Sequence, residues 1–446
     1  MDRLITLPRT LLRLAITYWR KLWVRTGLMG LLALAVIAFT QVIEPFIPDA
    51  LATYVSGDAA DRLLDLIANA MLAATIFSLT VMVSVFRSSA SQWTPRIHRL
   101  IMQDPTTQNT LSTFIGAYVY ALTGIVLREL HVFTDDQAFV LFATTVLVLI
   151  LIVYSLVRWT LHLQTFGSLI ASTRQVENIT CQQFEERLSM PCLGAHALTE
   201  ETEIPEDAVV IKSDQTGYIQ HIYEEALDAA AERHGFHIYL TREIGSFVVE
   251  GQEIALVADQ GDRDEDLEDD RDIAEVVGAH IVRGDVRTYN QDPRFGLMVL
   301  GEIASKALSP GINDPGTAID VITRLTRLLI GYHDERNSEE APQYKRLWVP
   351  PLSPVELIED GFGSLARDGS AMIEVQQRLQ KSLQALMDHP DERMSNAAFE
   401  AAQVEFERAT EGMEFAPDKT RLRDVTDTRV IEAVERQDTA PSLVKE

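Results

Sequence analysis

The sequence has few cysteines and a shortage of basic residues. It contains two cysteines, Cys181 and Cys192, in 446 residues, which excludes a disulfide-stapled scaffold and indicates reduced thiols. Acidic side chains outnumber basic ones 65 to 39, giving a formal net charge of −26. Because a nucleic-acid partner requires a basic surface for its phosphates, this deficit argues against nucleic-acid binding.

Signatures of catalysis and metal binding are also missing. The sequence has no Walker-type phosphate loop, no dinucleotide fingerprint, no nucleophile elbow and no HExxH motif. His221, His234 and His237 have no cysteine at a spacing typical of zinc sites. We therefore expect no catalytic residue, no metal site and no cofactor, and we do not expect an enzyme.

The charge is distributed unevenly along the chain. Residues 1–169 carry 12 Lys/Arg and 10 Asp/Glu, a net charge of +2. Subtraction leaves 27 basic and 55 acidic residues in the segment 170–446, a net charge of −28. The first third is nearly balanced and apolar, whereas the rest is strongly acidic. This contrast predicts a membrane domain followed by a cytoplasmic domain.

Four apolar stretches in the first third are long enough to cross a bilayer, which takes about 20 residues. They run over residues 26–47, 63–86, 110–127 and 138–157, and their central turns carry no charged residue. Basic residues concentrate before the first stretch, between the second and third, and after the fourth. By the positive-inside rule, both termini are expected in the cytoplasm.

Two of these spans carry small or polar side chains. The candidates are Asn69, Thr75, Ser78, Thr80 and Ser84 in the second span, and Ser112 and Gly116 in the third. Such residues either pack helices closely or line a polar path through the membrane. Both interpretations stay open from the sequence. The lack of ionisable residues deep in the spans argues against proton-coupled transport.

The pattern along the chain divides it into six segments. These are an amphipathic interfacial segment at 1–25, a four-helix transmembrane domain at 26–157, a connecting helix and loop at 158–200, a small β-rich module at 201–260, a mainly helical cytoplasmic domain at 261–415 and a flexible tail at 416–446. The acidic run 261–272 is read as a charged linker, with a cation site as the alternative. Residues 345–350 are predicted to form an edge strand.

The expected fold is therefore an α-helical membrane domain of four transmembrane helices plus a cytoplasmic α+β domain. That second domain contains a small β-rich, barrel-like module and a helical bundle. In its spacing of strands and glycines, the β-rich module resembles barrel-sandwich modules of the lipoyl and biotinyl type. The carrier lysine of that type is missing, so the resemblance is one of architecture.

The most distinctive segment runs from Arg287 to about residue 330. A helix ending at Leu308 is followed by a second helix with Asp314 as N-cap and Pro315 at its first position. A turn opening onto a helix N-terminus is typical of anion sites, whereas the Asp314 carboxylate already occupies the positive end of the helix dipole. The candidates for a ligand or coupling corner are Arg287, Asn313, Asp314 and Thr317. The alternative is a purely structural corner.

Five strings carry a resemblance to a known bacterial family. They are SSASQWTPR at 88–96, FIGAYVYAL at 114–122, GYIQ at 217–220, RTYNQD at 287–292 and ALSPGINDPGTA at 307–318. Together they resemble the predicted-membrane-protein family called domain of unknown function 2254, over about residues 15–415. The resemblance implies a multi-pass protein of the bacterial inner membrane with a cytoplasmic C-terminal domain. It implies no catalytic residue.

Two functions fit these observations. The first is an oligomeric channel or pore-like protein with a cytoplasmic regulatory domain, because four helices pack solidly and a ring of copies is needed to enclose a path. The second is a membrane-anchored sensor or scaffold that presents its acidic domain to protein partners. The expected partners are the lipid bilayer, further copies of the chain and, for the second function, a cytoplasmic protein.

Overall fold

The computed structural model describes residues 57–92, 94–130, 138–259, 270–337 and 341–439, with a few separate positions between 24 and 39. The interfacial segment predicted at 1–25, the first predicted span at 26–47 and the acidic run at 261–272 lie mostly outside the described residues. The chain divides into two compact units, Met1–Ser172 and Thr173–Glu446, and each is described by itself.

The first unit is helical in its described part. Its helices are α1 (Gly57–Gln92), α2 (Pro95–Met102), α3 (Pro105–Glu129) and α4 (Ala138–Leu163). Among the described residues, three stretches are long and apolar enough to cross a membrane: Asp58–Ser89, Pro95–Glu129 and Phe139–Leu163. They coincide with the second, third and fourth predicted spans. The core between α1, α3 and α4 includes Leu64, Phe114, Tyr120, Leu141 and Trp159.

Helix α1 extends further than its hydropathy predicts. It continues to Gln92, so much of the segment 88–96 is helical. The helix has no breaker until Pro95, and the residue before a proline favours extended backbone. Thr94 has that conformation, with φ −72° and ψ 155°. The break between α1 and α2 therefore lies where the proline imposes it.

The second unit begins within α5 (Leu169–Ser189). Its strands are β1 (Ala195–Ala197), β2 (Val209–Lys212), β3 (Gly217–Ile222), β4 (Phe236–Leu240), β5 (Phe247–Val248), β6 (Glu253–Asp259), β7 (Ile281–Gly284) and β8 (Tyr344–Val349). They form a five-stranded sheet in the order β1-β8-β4-β6-β2 and a three-stranded sheet in the order β5-β3-β7. Helices α6 (Glu224–His234) and α7 (Asp270–Gly278) contribute to the same core.

This sheet arrangement corrects one prediction and leaves another unsupported. Strand β8 is not an edge strand, because it pairs in parallel with β1 on one side and with β4 on the other. Its side chains Tyr344, Leu347 and Val349 are buried in the shared core. The barrel-like module is not confirmed, since the described strands belong to two sheets and β8 lies far beyond the predicted module.

The remaining helices form the expected helical part of the second unit. They are α8 (Pro293–Leu308), α9 (Pro315–Leu329), α10 (Pro354–Ile358), α11 (Ser364–Asp368), α12 (Ile373–Met387), α13 (Glu392–Gly412), α14 (Ala416–Arg423) and α15 (Thr428–Thr439). A π-helical turn, Glu359–Gly363, joins α10 to α11.

The prediction of a flexible tail is wrong for residues 416–439. Helices α14 and α15 occupy this segment, and α15 packs against α13 while α14 packs against α12. Large apolar residues are sparse here, but Leu422 and Val430 are fully buried. Burial of these two side chains holds the segment in place, although its polar composition predicted disorder.

Candidate functional site

Helix α1 has two faces of different character. Leu64, Ile67, Met71 and Ser78 are buried against the neighbouring helices α3 and α4. On the opposite face, eight residues at spacings of three or four follow one side of the helix, as 3.6 residues per turn requires. This line, called the α1 stripe, consists of Arg62, Asp65, Asn69, Ala73, Ile76, Thr80, Ser84 and Arg87, all exposed.

The α1 stripe is polar over most of its length. The Asn69 amide donates a hydrogen bond to the Asp65 carbonyl at 2.9 Å, and the Thr80 hydroxyl donates to the Ile76 carbonyl at 2.8 Å. These bonds to the preceding turn satisfy single donors. An amide side chain has further donor and acceptor sites, so an exposed asparagine remains a polar group at membrane depth.

The charged ends of the stripe are separated by about the thickness of a bilayer core. Residues 66–86 carry no ionisable side chain, and the 22 residues from Asp65 to Arg87 span about 33 Å at 1.5 Å per residue. The hydrocarbon core is about 30 Å thick. In an α1 that crosses the bilayer, Asn69, Thr80 and Ser84 would therefore lie within the apolar depth of the membrane.

Helix α4 distributes its polar groups in the opposite way. Thr145 is fully buried, and its hydroxyl lies 3.0 Å from the Tyr120 hydroxyl of α3. The outward side chains of α4 include Leu147, Ile150, Val153 and Val157, each more than half exposed. This is the distribution expected of a helix in contact with lipid. The α1 stripe differs from it within the same unit.

The small residues of the third span are helix-contact residues in this structure. Ser112 and Gly116 are buried within α3, and Ser112 donates to the Gln108 carbonyl at 2.8 Å. Two turns beyond Gly116, a Cβ atom on Gly124 would lie 3.1 Å from Leu64 of α1. The backbones of α1 and α3 thus approach closely where the side chain is smallest.

The five candidates on α1 separate into two groups. Asn69, Thr80 and Ser84 belong to the exposed α1 stripe, whereas Ser78 is 1% exposed on the opposite face. Thr75 is half-buried, and its hydroxyl donates to the Met71 carbonyl at 2.7 Å. The candidates predicted from the sequence were chosen by residue type and not by their angular position on the helix. They therefore included Ser78 and omitted Ala73 and Ile76, although the spacing of three and four residues along the sequence identifies both.

Polar side-chain contacts connect the described helices of the first unit near both of their ends. Asp61 of α1 and Arg128 of α3 form a bidentate pair, with an Nε to Oδ1 distance of 2.9 Å. At the other end, His162 Nε2 of α4 lies 3.0 Å from Asp104 Oδ2, the carboxylate that caps α3. The buried face of α1 is thereby held in register against α3, and the α1 stripe faces away from it.

In the second unit, Arg287 pairs with Asp292, the buried N-cap residue of α8. Its guanidinium forms two hydrogen bonds to Asp292, at 3.0 and 2.9 Å, and Asp292 accepts from the Phe295 amide as N-cap of α8. Burial raises the pKa of Asp292, and the charge of Arg287 opposes that rise. Gly245, at φ +88°, passes so close that a side chain there would collide with both partners. This arrangement is structural.

The predicted corner between α8 and α9 forms as a tight turn. Asp314 caps α9 by accepting from the Thr317 amide and hydroxyl, and these hydrogen bonds lower the pKa of the Asp314 carboxyl. The expected capping is confirmed, with Pro315 at the first helical position. Asn313 takes the left-handed region at φ 51° and is exposed. Ile312, the residue before it, is 44% exposed.

The four corner candidates do not form one site. The described contacts of Arg287 go to Asp292, Phe295 and Met298, whereas Asp314 binds Thr317. With its carboxylate on the N-terminus of α9, Asp314 fills the position that an anion would take. These observations favour the structural interpretation of the corner.

A small cavity with a mixed polar and apolar lining lies in the second unit. It has a volume of about 20 Å³ and is lined by Arg187, Glu243, Gln291 and Arg294, among others. Arg294 contacts three carboxylates, with 2.9 Å to Glu243, 2.5 Å to Glu356 and 2.7 Å to Asp360. A volume of this order holds about one water molecule. The cavity is therefore too small for an organic substrate.

Metal binding finds no support within the residues that the structure describes. No group of three or more His, Cys, Asp or Glu side chains among them is arranged to hold an ion. The acidic run, for which a cation site was the alternative, lies largely outside this part of the chain. The α1 stripe is thus the arrangement in the described structure that calls for a functional explanation.

Three apolar helices among the described residues and a mixed α+β unit define this chain as a membrane protein with a large folded second unit. A profile of a predicted-membrane-protein family, domain of unknown function 2254, matches residues 19–385, and the chain belongs to this family. Uncharacterized proteins of Mycobacterium tuberculosis and Mycobacterium bovis are 25% identical to it over 303 residues, 66% of this chain. The match covers 57% of the length of those relatives. No solved structure matches the chain.

Proposed function

We propose that this protein is a homo-oligomeric, pore-like membrane protein in which the α1 stripes of several copies line a polar path across the bilayer. The observation that carries the proposal is the exposure of Asn69, Thr80 and Ser84 along one line of an apolar helix. The second unit then serves as the regulatory domain.

The cost of placing polar groups in lipid supports this function. Polar side chains at membrane depth normally face the protein interior or a water-filled cavity, as Thr145 and Ser155 of α4 do. Had α1 been a lipid-facing helix, its stripe would resemble the outward face of α4. A polar line exposed on a single copy is instead expected where another copy or water covers it.

The number of helices supports a ring of copies. Three described helices with the fully buried core residues Leu64, Phe114 and Leu141 pack without a central opening. One copy therefore lines one side of a path and does not enclose it. A ring of copies with closed symmetry, in which every α1 stripe faces the axis, encloses the path.

The distribution of charge supports an orientation. Basic residues flank the spans on the side of both termini, and by the positive-inside rule this supports a cytoplasmic position of the acidic second unit in a bacterial cell. The protein is then located in the inner membrane. In this arrangement Arg87 lies at the cytoplasmic mouth of the path and Asp65 at the outer mouth.

The alternative function, a membrane-anchored sensor or scaffold, requires no path along α1. Thiol accessibility separates the two. Asn69→Cys, Thr80→Cys and Ser84→Cys are made in a Cys181→Ser background, reconstituted in lipid nanodiscs and treated with a charged, membrane-impermeant methanethiosulfonate. The matched controls are Ile150→Cys and Val157→Cys, on the outward face of α4.

The path predicts that the three stripe cysteines react at least tenfold faster than the two α4 cysteines. It also predicts a closed ring with α1 facing its axis in single-particle images of the same nanodiscs. Stripe cysteines as unreactive as the α4 controls, or a monomer with its spans packed solid, overturn the pore and favour the scaffold.

A further inference from the structure

The α1 stripe is interrupted by one large apolar side chain. Ile76 is 58% exposed, whereas its stripe neighbours are the small Ala73 on one side and the polar Thr80 and Ser84 on the other. Ile76 is 11 residues from Asp65 and 11 residues from Arg87, about 16 Å along the helix in each direction. It therefore lies at the midpoint of the charge-free part of α1.

We infer that Ile76 is the gate of the path, where a ring of isoleucine side chains from the copies closes it by excluding water. This inference rests on the proposed function and concerns how the path is closed. Narrow constrictions lined by apolar side chains lose their water and stop ions without sealing the pore mechanically. Asn69 on one side and Thr80 on the other are the polar positions nearest to Ile76, so the barrier is confined to the roughly three helical turns between them.

The position of Ile76 on the helix separates it from the lipid-facing apolar residues. Phe77 and Leu72 are 62% and 45% exposed, but at 100° per residue they lie roughly 60–80° away from the line of the stripe. They flank the stripe, where they contact lipid or a neighbouring copy. Ile76 lies within about 40° of both Asn69 and Thr80, closer to them than Phe77 or Leu72.

Two-sided labelling tests the barrier directly. Single cysteines at Asn69 and Thr80, in the Cys181→Ser background, are exposed to the impermeant reagent from one face in spheroplasts and from the other in inverted membrane vesicles. With a barrier at Ile76, the cysteine at position 69 reacts from one face of the membrane only. The cysteine at position 80 reacts from the other face only. Adding Ile76→Thr, which keeps the β-branched shape and introduces a hydroxyl, is expected to make both cysteines at least tenfold more reactive from the previously closed face.

Conductance in planar bilayers with potassium chloride supplies the second readout. Ile76→Thr is expected to raise the mean current at least tenfold, whereas Ile76→Val keeps the wild-type current. The matched control is Ile150→Thr, because Ile150 is 60% exposed on α4 and the substitution is chemically the same. An equal rise in Ile150→Thr reports a general leak and overturns the gate.

The gate and the path fail in different ways. If both cysteines react in a ring-shaped assembly while Ile76→Thr changes neither labelling nor current, the path stands and the gate is overturned. If neither cysteine reacts from either face, with or without Ile76→Thr, the path itself is overturned and the gate with it.

Discussion

Arg187 and Glu335 form a buried, bidentate ion pair although 148 residues separate them in the sequence. Arg187 Nε lies 2.6 Å from Glu335 Oε1, and the second guanidinium nitrogen lies 3.1 Å from Oε2. The same carboxylate accepts from the Cys192 amide at 2.8 Å and the Leu352 amide at 2.6 Å. One side chain thus fastens the end of α5, the turn before β1 and the chain that leaves β8.

Neutralising Glu335 is expected to loosen these three segments. Glu335→Gln leaves the Arg187 charge buried without its counter-ion, and breaking a buried pair in this way costs about 3–5 kcal/mol. We expect hydrogen exchange at the amides of Cys192 and Leu352 to become about 100-fold faster in the full chain in nanodiscs, since about 1.4 kcal/mol corresponds to a factor of ten.

The matched control breaks an exposed pair. Asp418 and Arg421 lie 3.1 Å apart on α14, with Arg421 59% exposed, and such pairs contribute under about 1 kcal/mol. Asp418→Asn is therefore expected to leave the exchange of Cys192 and Leu352 unchanged. Exchange in Glu335→Gln within threefold of wild type contradicts the role assigned to the pair.

Gly301 is expected to tolerate no side chain. A Cβ atom there would lie 2.5 Å from the Gly361 carbonyl oxygen in the π-helical turn, so Gly301→Ala forces α8 and this turn apart. We expect a loss of about 1–3 kcal/mol, the usual range for overpacking. Gly311→Ala is the control, because nothing lies within 4 Å of its Cβ position. Thermal unfolding midpoints of the two variants measure the difference, and equal midpoints contradict the close approach.

The two cysteines are expected to differ in reactivity. Cys192 is 1% exposed, and burial, with the charge of Glu335 adding to it, raises the pKa of its thiol to about 12. About one thiol in 10,000 is then ionised at pH 8. Iodoacetamide at that pH should label the half-buried Cys181 and leave Cys192 unmodified until urea is added, as mass spectrometry of the peptides reports. Labelling of Cys192 in the folded chain contradicts this prediction.

Acid is expected to destabilise the five-stranded sheet through His237. Burial lowers the pKa of His237, and the nearby charges of Arg346 and His196 lower it further. The folded state therefore binds the proton less readily than the unfolded chain, whose histidines titrate near about 6.5. The stability contributed by neutral His237 is complete above that pH and declines as the pH falls through it toward the lower, folded-state pKa.

A variant that cannot titrate isolates this effect. The His237 ring lies 4.7 Å from the Trp348 ring, centroid to centroid, so His237→Phe retains an aromatic contact while removing the proton site. Its thermal midpoint is expected to fall less than that of wild type between pH 7.5 and pH 5. Parallel pH profiles for the two proteins contradict the assignment to His237.

Local signals predicted much of this fold. The uncharged runs identified three of the spans, and Asp314 followed by Pro315 identified the start of α9, because caps and apolar lengths are encoded within a few residues. The position of β8 was not predictable in the same way. Whether residues 344–349 form an edge or a central strand depends on β1 and β4, which lie more than 100 residues earlier.

The candidate site was predicted in part. Asn69, Thr80 and Ser84 were recognised by residue type, and helical phase alone would have placed Ser78 opposite them, since nine residues correspond to two and a half turns. The exposed state of the α1 stripe is a tertiary property. It depends on which face of α1 packs on α3, and polar composition does not determine that.

The parallel pairing of β1 with β8 also bears on how the chain is made. Ala195 pairs with Tyr344, so the sheet lacks its second strand until the ribosome has synthesised the chain through about residue 350. The apolar helices that end at Leu163 emerge much earlier. If the apolar helices enter the bilayer as they emerge, insertion precedes closure of the sheet, and during that interval β1 of the nascent second unit lacks its parallel partner.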